Sequence, residues 1–200
     1  MGVGDFWTAL VVFVTTDIDD LILLTAFFGD TRLRRGAIVG GQFLGIGALM
    51  AVSAAAAAAS LAIPPHWPAL LGAVPLALGL WKLPSLWRGR GEPDDDEERE
   101  GAERAARNTH SQVLAVAAVT IANGGDNLGV YIPLFSANFH ALPAYALVFA
   151  VMTAVWCAVG HAFVKHPAGA ALMARSGHAI LPIVLILLGL WILSDARFLL

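Results

Sequence analysis

The chain has 200 residues, 58% of them hydrophobic and 14% charged, with a formal net charge of −3. Soluble domains run about 45–50% apolar and about 25% charged. Residues 88–110 hold eight of the fifteen acids and five of the twelve Lys and Arg. That leaves seven of each sign for the other 177 residues, too few to clothe a soluble surface, and points to an all-α polytopic membrane protein. The negative balance gives no electrostatic support to a nucleic-acid partner. A single cysteine, Cys157, excludes a disulfide framework and a transmembrane thiol relay. No basic segment precedes the first apolar run, so no cleavable leader is expected.

Six apolar stretches approach the roughly 20 residues a bilayer requires. They are 6–28, 36–63, 67–87, 111–136, 142–164 and 177–193. The first runs through Thr16, Asp17, Asp19 and Asp20. The second is uncharged and carries Gln42, Gly41-x-x-x-Gly45 and the alanines 54–59, small residues that let helices approach closely. Pro75, Pro133 and Pro182 fall inside the third, fourth and sixth, where proline kinks a helix and frees carbonyls. Trp7, Trp67, Trp81, Trp87 and Trp191 lie near stretch ends, as an interfacial aromatic belt would place them. His140, His166 and His178 also fall near ends and read as interfacial. Residues 88–110 read as a solvated acidic connector.

Eleven of the twelve Lys and Arg fall in loops one, three and five, and only Arg197 on the opposite side. The positive-inside rule then places those loops, the 88–110 linker included, in the cytoplasm and both termini outside.

The halves 1–87 and 111–200 resemble each other. Leu78-Gly79-Leu80-Trp81 recurs as Leu188-Gly189-Leu190-Trp191. At an offset of 107, Asp19, Leu21 and Phe28 fall on Asp126, Leu128 and Phe135, Thr16 on Asn123, and Asp20 on Asn127. Three spans per half is an odd number, so the halves must be inverted. Two inverted three-helix repeats form a transporter architecture, with its site near the midplane at the repeat interface.

Asp17, Asp19, Asp20 and Asp126 lie within these stretches. Each carboxylate costs roughly 2.5–3.5 kcal/mol at the bilayer centre on insertion scales, so four charged and lipid-facing ones would cost on the order of 10–14 kcal/mol. No basic side chain lies among them, so they must be protonated, face water or hold a cation. Asn123, Asp126 and Asn127 stand at i, i+3, i+4, as do Thr16, Asp19 and Asp20, which predicts one helical face for each set. On a straight helix Asp17 lies about 200° round from Asp19 but one turn below Asp20, and it reads as a lesser, coupling residue. Gly124 and Gly125 permit close backbone approach or local unwinding. The donors are all oxygens, which suit hard or intermediate divalent cations. Cys157 and His161, at i, i+4, could add a soft pair, and Gln42 is a lesser polar candidate.

Asp17-Ile18-Asp19-Asp20-Leu21 follows two threonines. It and the run Ala122-Asn123-Gly124-Gly125-Asp126-Asn127-Leu128-Gly129-Val130-Tyr131-Ile132-Pro133-Leu134-Phe135 resemble the two signature motifs of the cadmium-resistance transporter family, within the lysine-exporter superfamily. The resemblance covers all six stretches and the mid-chain linker. It implies export of cadmium and other divalent ions from bacterial cells, as transported substrate rather than cofactor, and no enzymatic activity. Asp17 departs from the neutral polar residue expected there, which bears on ion selectivity and proton coupling. Membrane lipid is the other implied partner, and a homodimer is an assembly this reading allows. Intramembrane aspartyl proteases also use acids on two spans, but need Gly-x-Gly-Asp where this chain has Asn123-Gly124-Gly125-Asp126. An exporter of amino acids or other small cationic solutes is the closer alternative, disfavoured because a zwitterion would want a basic group as well.

Overall fold

The computed structural model describes residues 3–60, 71, 73–83, 111–165, 183, 186–190 and 192–194. The acidic linker, His166, His178, Pro182, Trp67, Trp87 and Trp191 lie outside the described residues. No strand occurs among those described, as the apolar runs require: in hydrocarbon only a helix satisfies every backbone group of a lone segment.

The longer α-helices among the described residues are α1 Val3–Thr16, α2 Ile18–Gly29, α3 Arg35–Ser60, α4 Ala73–Lys82, α5 Gln112–Asn123, α6 Gly125–Ala137 and α7 Leu142–Phe163. A 3-10 turn, Phe139–Ala141, leads into α7. Residues 186–190 and 192–194 are also helical. α3 and the segment Phe139–Phe163 are each long and apolar enough to cross a membrane, and α5 with α6 makes a third span if the bent pair is taken as one. Pro75 sits in the first turn of α4, where its missing N–H costs nothing, whereas Pro133 lies inside α6.

The expected continuous helices over 6–28 and 111–136 are both interrupted. α1 ends at Thr16 and α2 restarts at Ile18, with Asp17 between them at φ −103°, ψ 21°. α5 ends at Asn123 and α6 restarts at Gly125, with Gly124 between them at φ −85°, ψ 20°, and the axis bends there by 70°. Thr16, Asp19 and Asp20 therefore do not share one continuous helical face, nor do Asn123, Asp126 and Asn127. Each trio straddles a break.

The first break has a local cause. The Thr15 hydroxyl donates to the carbonyls of Val11 and Val12 at 2.7 and 3.0 Å, and that of Thr16 to Val12 at 2.9 Å. Such back-bonding competes with the helix's own ladder and loosens the last turn. The freed carbonyl of Asp17 is taken by the Trp156 indole N–H at 2.6 Å. The second break follows from the glycine. A Cβ at Gly124 would collide with Leu49 of α3 and stand 3.2 Å from the Thr120 carbonyl.

α3 packs along α5 and α6, while α7 packs along α1, α2 and α3, and α4 lies against α6. The Gly41-x-x-x-Gly45 patch makes the α3–α5 contact: a Cβ on Gly41 would meet the Val113 carbonyl at 2.8 Å, and one on Gly45 would meet Thr120 at 2.6 Å. Gly160 plays the same part in α7, against Leu24 of α2 at 2.8 Å. Large apolar side chains lie on the outside as well as in the core. Leu147 and Leu187 are each 60% exposed, while Asp17, Asp20, Gln42, Thr120 and Asn127 are at most 2% exposed. Apolar residues outside and polar residues within suit a lipid solvent.

Candidate metal-ion site

The two interrupted helices cross at their breaks. Asn123, the last residue of α5, donates from Nδ2 to Asp19 Oδ2 at 3.1 Å and to Asp20 Oδ1 at 2.8 Å. Asn127, in the first turn of α6, donates from Nδ2 to Asp17 Oδ1 at 3.1 Å. The carboxylates of one break are thus held by the amides of the other. At the ends of the same helices, Gln112 bonds the loop after α2, and Asn138 bonds Asp5 of α1. Start meets end, and middle meets middle, so the two broken segments run antiparallel.

Asp17 lies at the centre of this network rather than at its margin. It is fully buried. Its Oδ2 accepts from the Tyr131 hydroxyl at 2.7 Å and from the Thr16 hydroxyl at 3.0 Å. With Asn127 on Oδ1 and Trp156 on its carbonyl, it binds four partners on three helices. Asp20 faces the other way. Its Oδ2 accepts from Gln42 Nε2 at 2.6 Å, and the Oε1 of Gln42 accepts from the Thr120 hydroxyl at 2.8 Å. Gln42 therefore ties α3 directly to the acids. Asp19 also accepts from the backbone N–H of Asp20 at 3.1 Å. Asp126, half-buried, occupies the first turn of α6 between Asn123 and Asn127. Gly125 is exposed and Gly124 buried beside Asn127.

Cys157 and His161 lie one turn apart on α7, and Cys157 is near enough to Asp20 to feel its charge. Cys157 is buried in the apolar core. The His161 ring lies 5.1 Å from that of Phe28, and its Nδ1 is buried without a hydrogen-bond partner. The neighbouring Gly160 packs on Leu24, one turn past Asp20 on α2.

Three residues of the network were not singled out from the sequence as site residues: Tyr131, Thr120 and Trp156. Tyr131 is fixed by ring contacts to Phe149 at 4.9 Å and Phe135 at 5.9 Å, and Trp156 by one to Phe13 at 5.7 Å. The signal for Tyr131 was its position one turn beyond Asn127. For Thr120 it was the position three residues before Asn123.

Among the described residues, no three His, Cys, Asp or Glu side chains are already arranged around a common metal position. Asp19 and Asp20 share the Asn123 amide, while Asp17 is held apart from them by Asn127 and Tyr131 and Asp20 is also drawn toward Gln42. This is a chemistry of carboxylates held by amide and hydroxyl hydrogens, which a cation would have to replace. One oxygen already has no donor to give up: Asn127 Oδ1 is buried and without a hydrogen-bond partner. A buried amide oxygen beside carboxylates is a ready ligand for a hard or intermediate cation.

Comparison with curated proteins returned no match, and neither did comparison with solved structures. The family model described as "Cadmium resistance transporter" matches residues 13–199, a stretch that contains both helix breaks and every residue of the buried polar network. Together with its apolar, lipid-suited exterior, this places the chain in the cadmium resistance transporter family.

Proposed function

We propose that the protein exports divalent metal ions, cadmium among them, through a site at the crossing of the two helix breaks. The ligands are Asp19, Asp20, Asn123 and Asn127, completed by Asp126 and Thr16. Asp17 and Gln42 hold the surrounding network in register. The observation that carries the reading is the pairing of buried carboxylates from one broken helix with buried amides from the other. A carboxylate pair without a basic partner is stabilised by a cation, and broken helices in a membrane serve where backbone and side chains must line an ion path.

Binding on this reading is an exchange. The amides of Asn123 and Gln42 present N–H to Asp19 and Asp20. A cation reverses the requirement, since it takes the carboxylate oxygens and wants amide oxygens beside them. A half-turn of the Asn123 side chain supplies Oδ1, and Asn127 Oδ1 needs no donor removed. Two further observations support inverted three-helix repeats as the frame. The breaks at Asp17 and Gly124 are 107 residues apart, the offset that aligns the acidic and amide motifs. Their dihedrals nearly coincide, and Asp17 N–H bonds Phe13 O at 3.0 Å as Gly124 N–H bonds Thr120 O at 2.9 Å. The packing is reciprocal as well, with α3 on α5 and α6, and α7 on α1 and α2. The acids also provide a means of proton exchange for the outgoing metal, with loops one, three and five on the cytoplasmic side.

Flux into proteoliposomes tests this with a panel of Cd²⁺, Zn²⁺, Mn²⁺ and Ca²⁺, each with and without a pH gradient. Saturable divalent-ion flux that is lost in Asp20→Asn is the expected result. Flux of lysine but of no metal would overturn the substrate, and metal flux indifferent to the pH gradient would overturn proton exchange.

A further inference from the structure

Gln112 begins α5, and its side chain grips the loop after α2 twice. Its Oε1 accepts from the Arg34 backbone N–H at 3.1 Å, and its Nε2 donates to the Arg32 carbonyl at 3.0 Å. That loop is itself stiff, since Asp30 Oδ1 accepts from the backbone N–H and Nε of Arg32, and Oδ2 from its Nη2 at 2.8 Å. At the opposite end of the same antiparallel pair, Asp5 of α1 accepts from Asn138 Nδ2 at 3.0 Å, in the loop after α6. Asp5 and Gln112 are separated by 107 residues, the same interval as the two helix breaks. Each broken span thus uses a side chain of its first turn to hold the loop that follows the other. One clasp lies on the face with Arg32, Arg34 and Arg35, and the other on the far face.

From this symmetry we propose that Gln112 on one face, and the Asp5–Asn138 pair on the other, are the two gating contacts of transport, and that they open in alternation around the crossing. Both are made in this structure. Opening either one frees a loop at the end of one broken segment while the hydrogen bonds at the crossing stay. That is what alternating access around a fixed site demands. The two clasps are unlike in strength. Gln112 makes two neutral bonds in an exposed setting, whereas Asp5–Asn138 is one part-buried bond with a carboxylate acceptor. The Ser60 hydroxyl, which donates to Ser136 Oγ at 3.0 Å, backs the second clasp by joining the end of α3 to the end of α6. The Gln112 face is therefore the one that opens more readily. The proposal rests on the transporter reading, but its test needs no metal.

The test is spin-label distance measurement on the full chain in lipid vesicles, with Cys157 replaced by Ser. One label pair is Thr31 with Ser111, and the other Gly4 with His140. Gln112→Ala should shift the Thr31–Ser111 distance outward by about 5 Å, one helical turn, and leave Gly4–His140 short. Asn138→Ala should do the reverse. Gln112→Glu keeps the acceptor for Arg34 N–H and loses the donor to Arg32, so it should give a smaller outward population, and it serves where the alanine variant does not fold. Unchanged distances in every variant would overturn the proposal, as would both pairs lengthening together in one variant. If the distances respond as expected while no metal moves, the gates stand and the substrate assignment falls.

Discussion

Gly45 lies where α3 meets α5. A Cβ there would stand 2.6 Å from Thr120 Cβ and Cγ2, and 3.3 Å from the Ala117 carbonyl. Ordinary carbon contact begins near 3.4 Å, so Gly45→Ala drives the two helices apart by about 0.8 Å in an interior with little slack. The Thr120 hydroxyl sits on the atom that is pushed, and its bond to Gln42 Oε1 is 2.8 Å. The same displacement takes it to about 3.6 Å, past useful hydrogen-bond length. Gln42 then loses its anchor on α5 while still attached to Asp20. The expected cost is about 1–3 kcal/mol of stability from overpacking, with metal affinity falling because Gln42 no longer holds Asp20 in place. Gly47→Ala is the control, since a Cβ there meets nothing within 4 Å. It should be neutral or stabilising by up to about 1 kcal/mol from the helix preference of alanine. Denaturant unfolding in mixed micelles and metal titration calorimetry read the two quantities. If Gly45→Ala matched Gly47→Ala in both, the claim that this contact sets the Gln42–Asp20 geometry would be wrong.

Tyr131→Phe keeps the ring and removes the donor to Asp17. An intramolecular hydrogen bond contributes about 0.5–1.5 kcal/mol, and a loss of at least that size in unfolding free energy is expected, against none if the hydroxyl is idle. Asp20→Asn should lower Cd²⁺ affinity at least tenfold in calorimetry while the protein still inserts. Asp17→Asn should now rank with it rather than below it, because Asp17 binds four partners; wild-type flux and stability in that variant would return it to a marginal role. For orientation, a cysteine at His140 should react with an impermeant thiol reagent in intact cells and one at Asp95 should not. The reverse pattern would invert the topology.

The sequence carried the helical class in its charge scarcity, and the second break in its glycine pair. It also marked the close packing of α3 through Gly41 and Gly45. The first break was hidden, because Thr16-Asp17-Ile18 contains neither glycine nor proline. Its causes are a pair of threonine hydroxyls turned onto their own helix and an indole 139 residues away. A straight helix was the simplest inference over 6–28, and it set Asp17 opposite Asp19 and one turn below Asp20. With the chain interrupted, residue spacing no longer fixes direction, and Asp17 turns inward to Tyr131 and Asn127. Tyr131 and Thr120 were passed over for a related reason. Single hydroxyls on apolar helices can satisfy themselves on their own backbone or reach across, and only the crossing reveals which they do.

The bond from the Trp156 indole to the Asp17 carbonyl gives the site an optical readout. An indole whose N–H is fixed to a backbone dipole emits according to the field and wetness around that bond, and this one is buried against Phe13. A chain that retains Trp156 and carries Phe at the other five tryptophans would contain one fluorophore, attached to the point where α1 gives way to α2. Water reaching that point would shift its emission to the red, and a cation drawing Asp17 away would change its intensity. The moment at which the crossing opens could then be timed by stopped flow, with no label added to the protein.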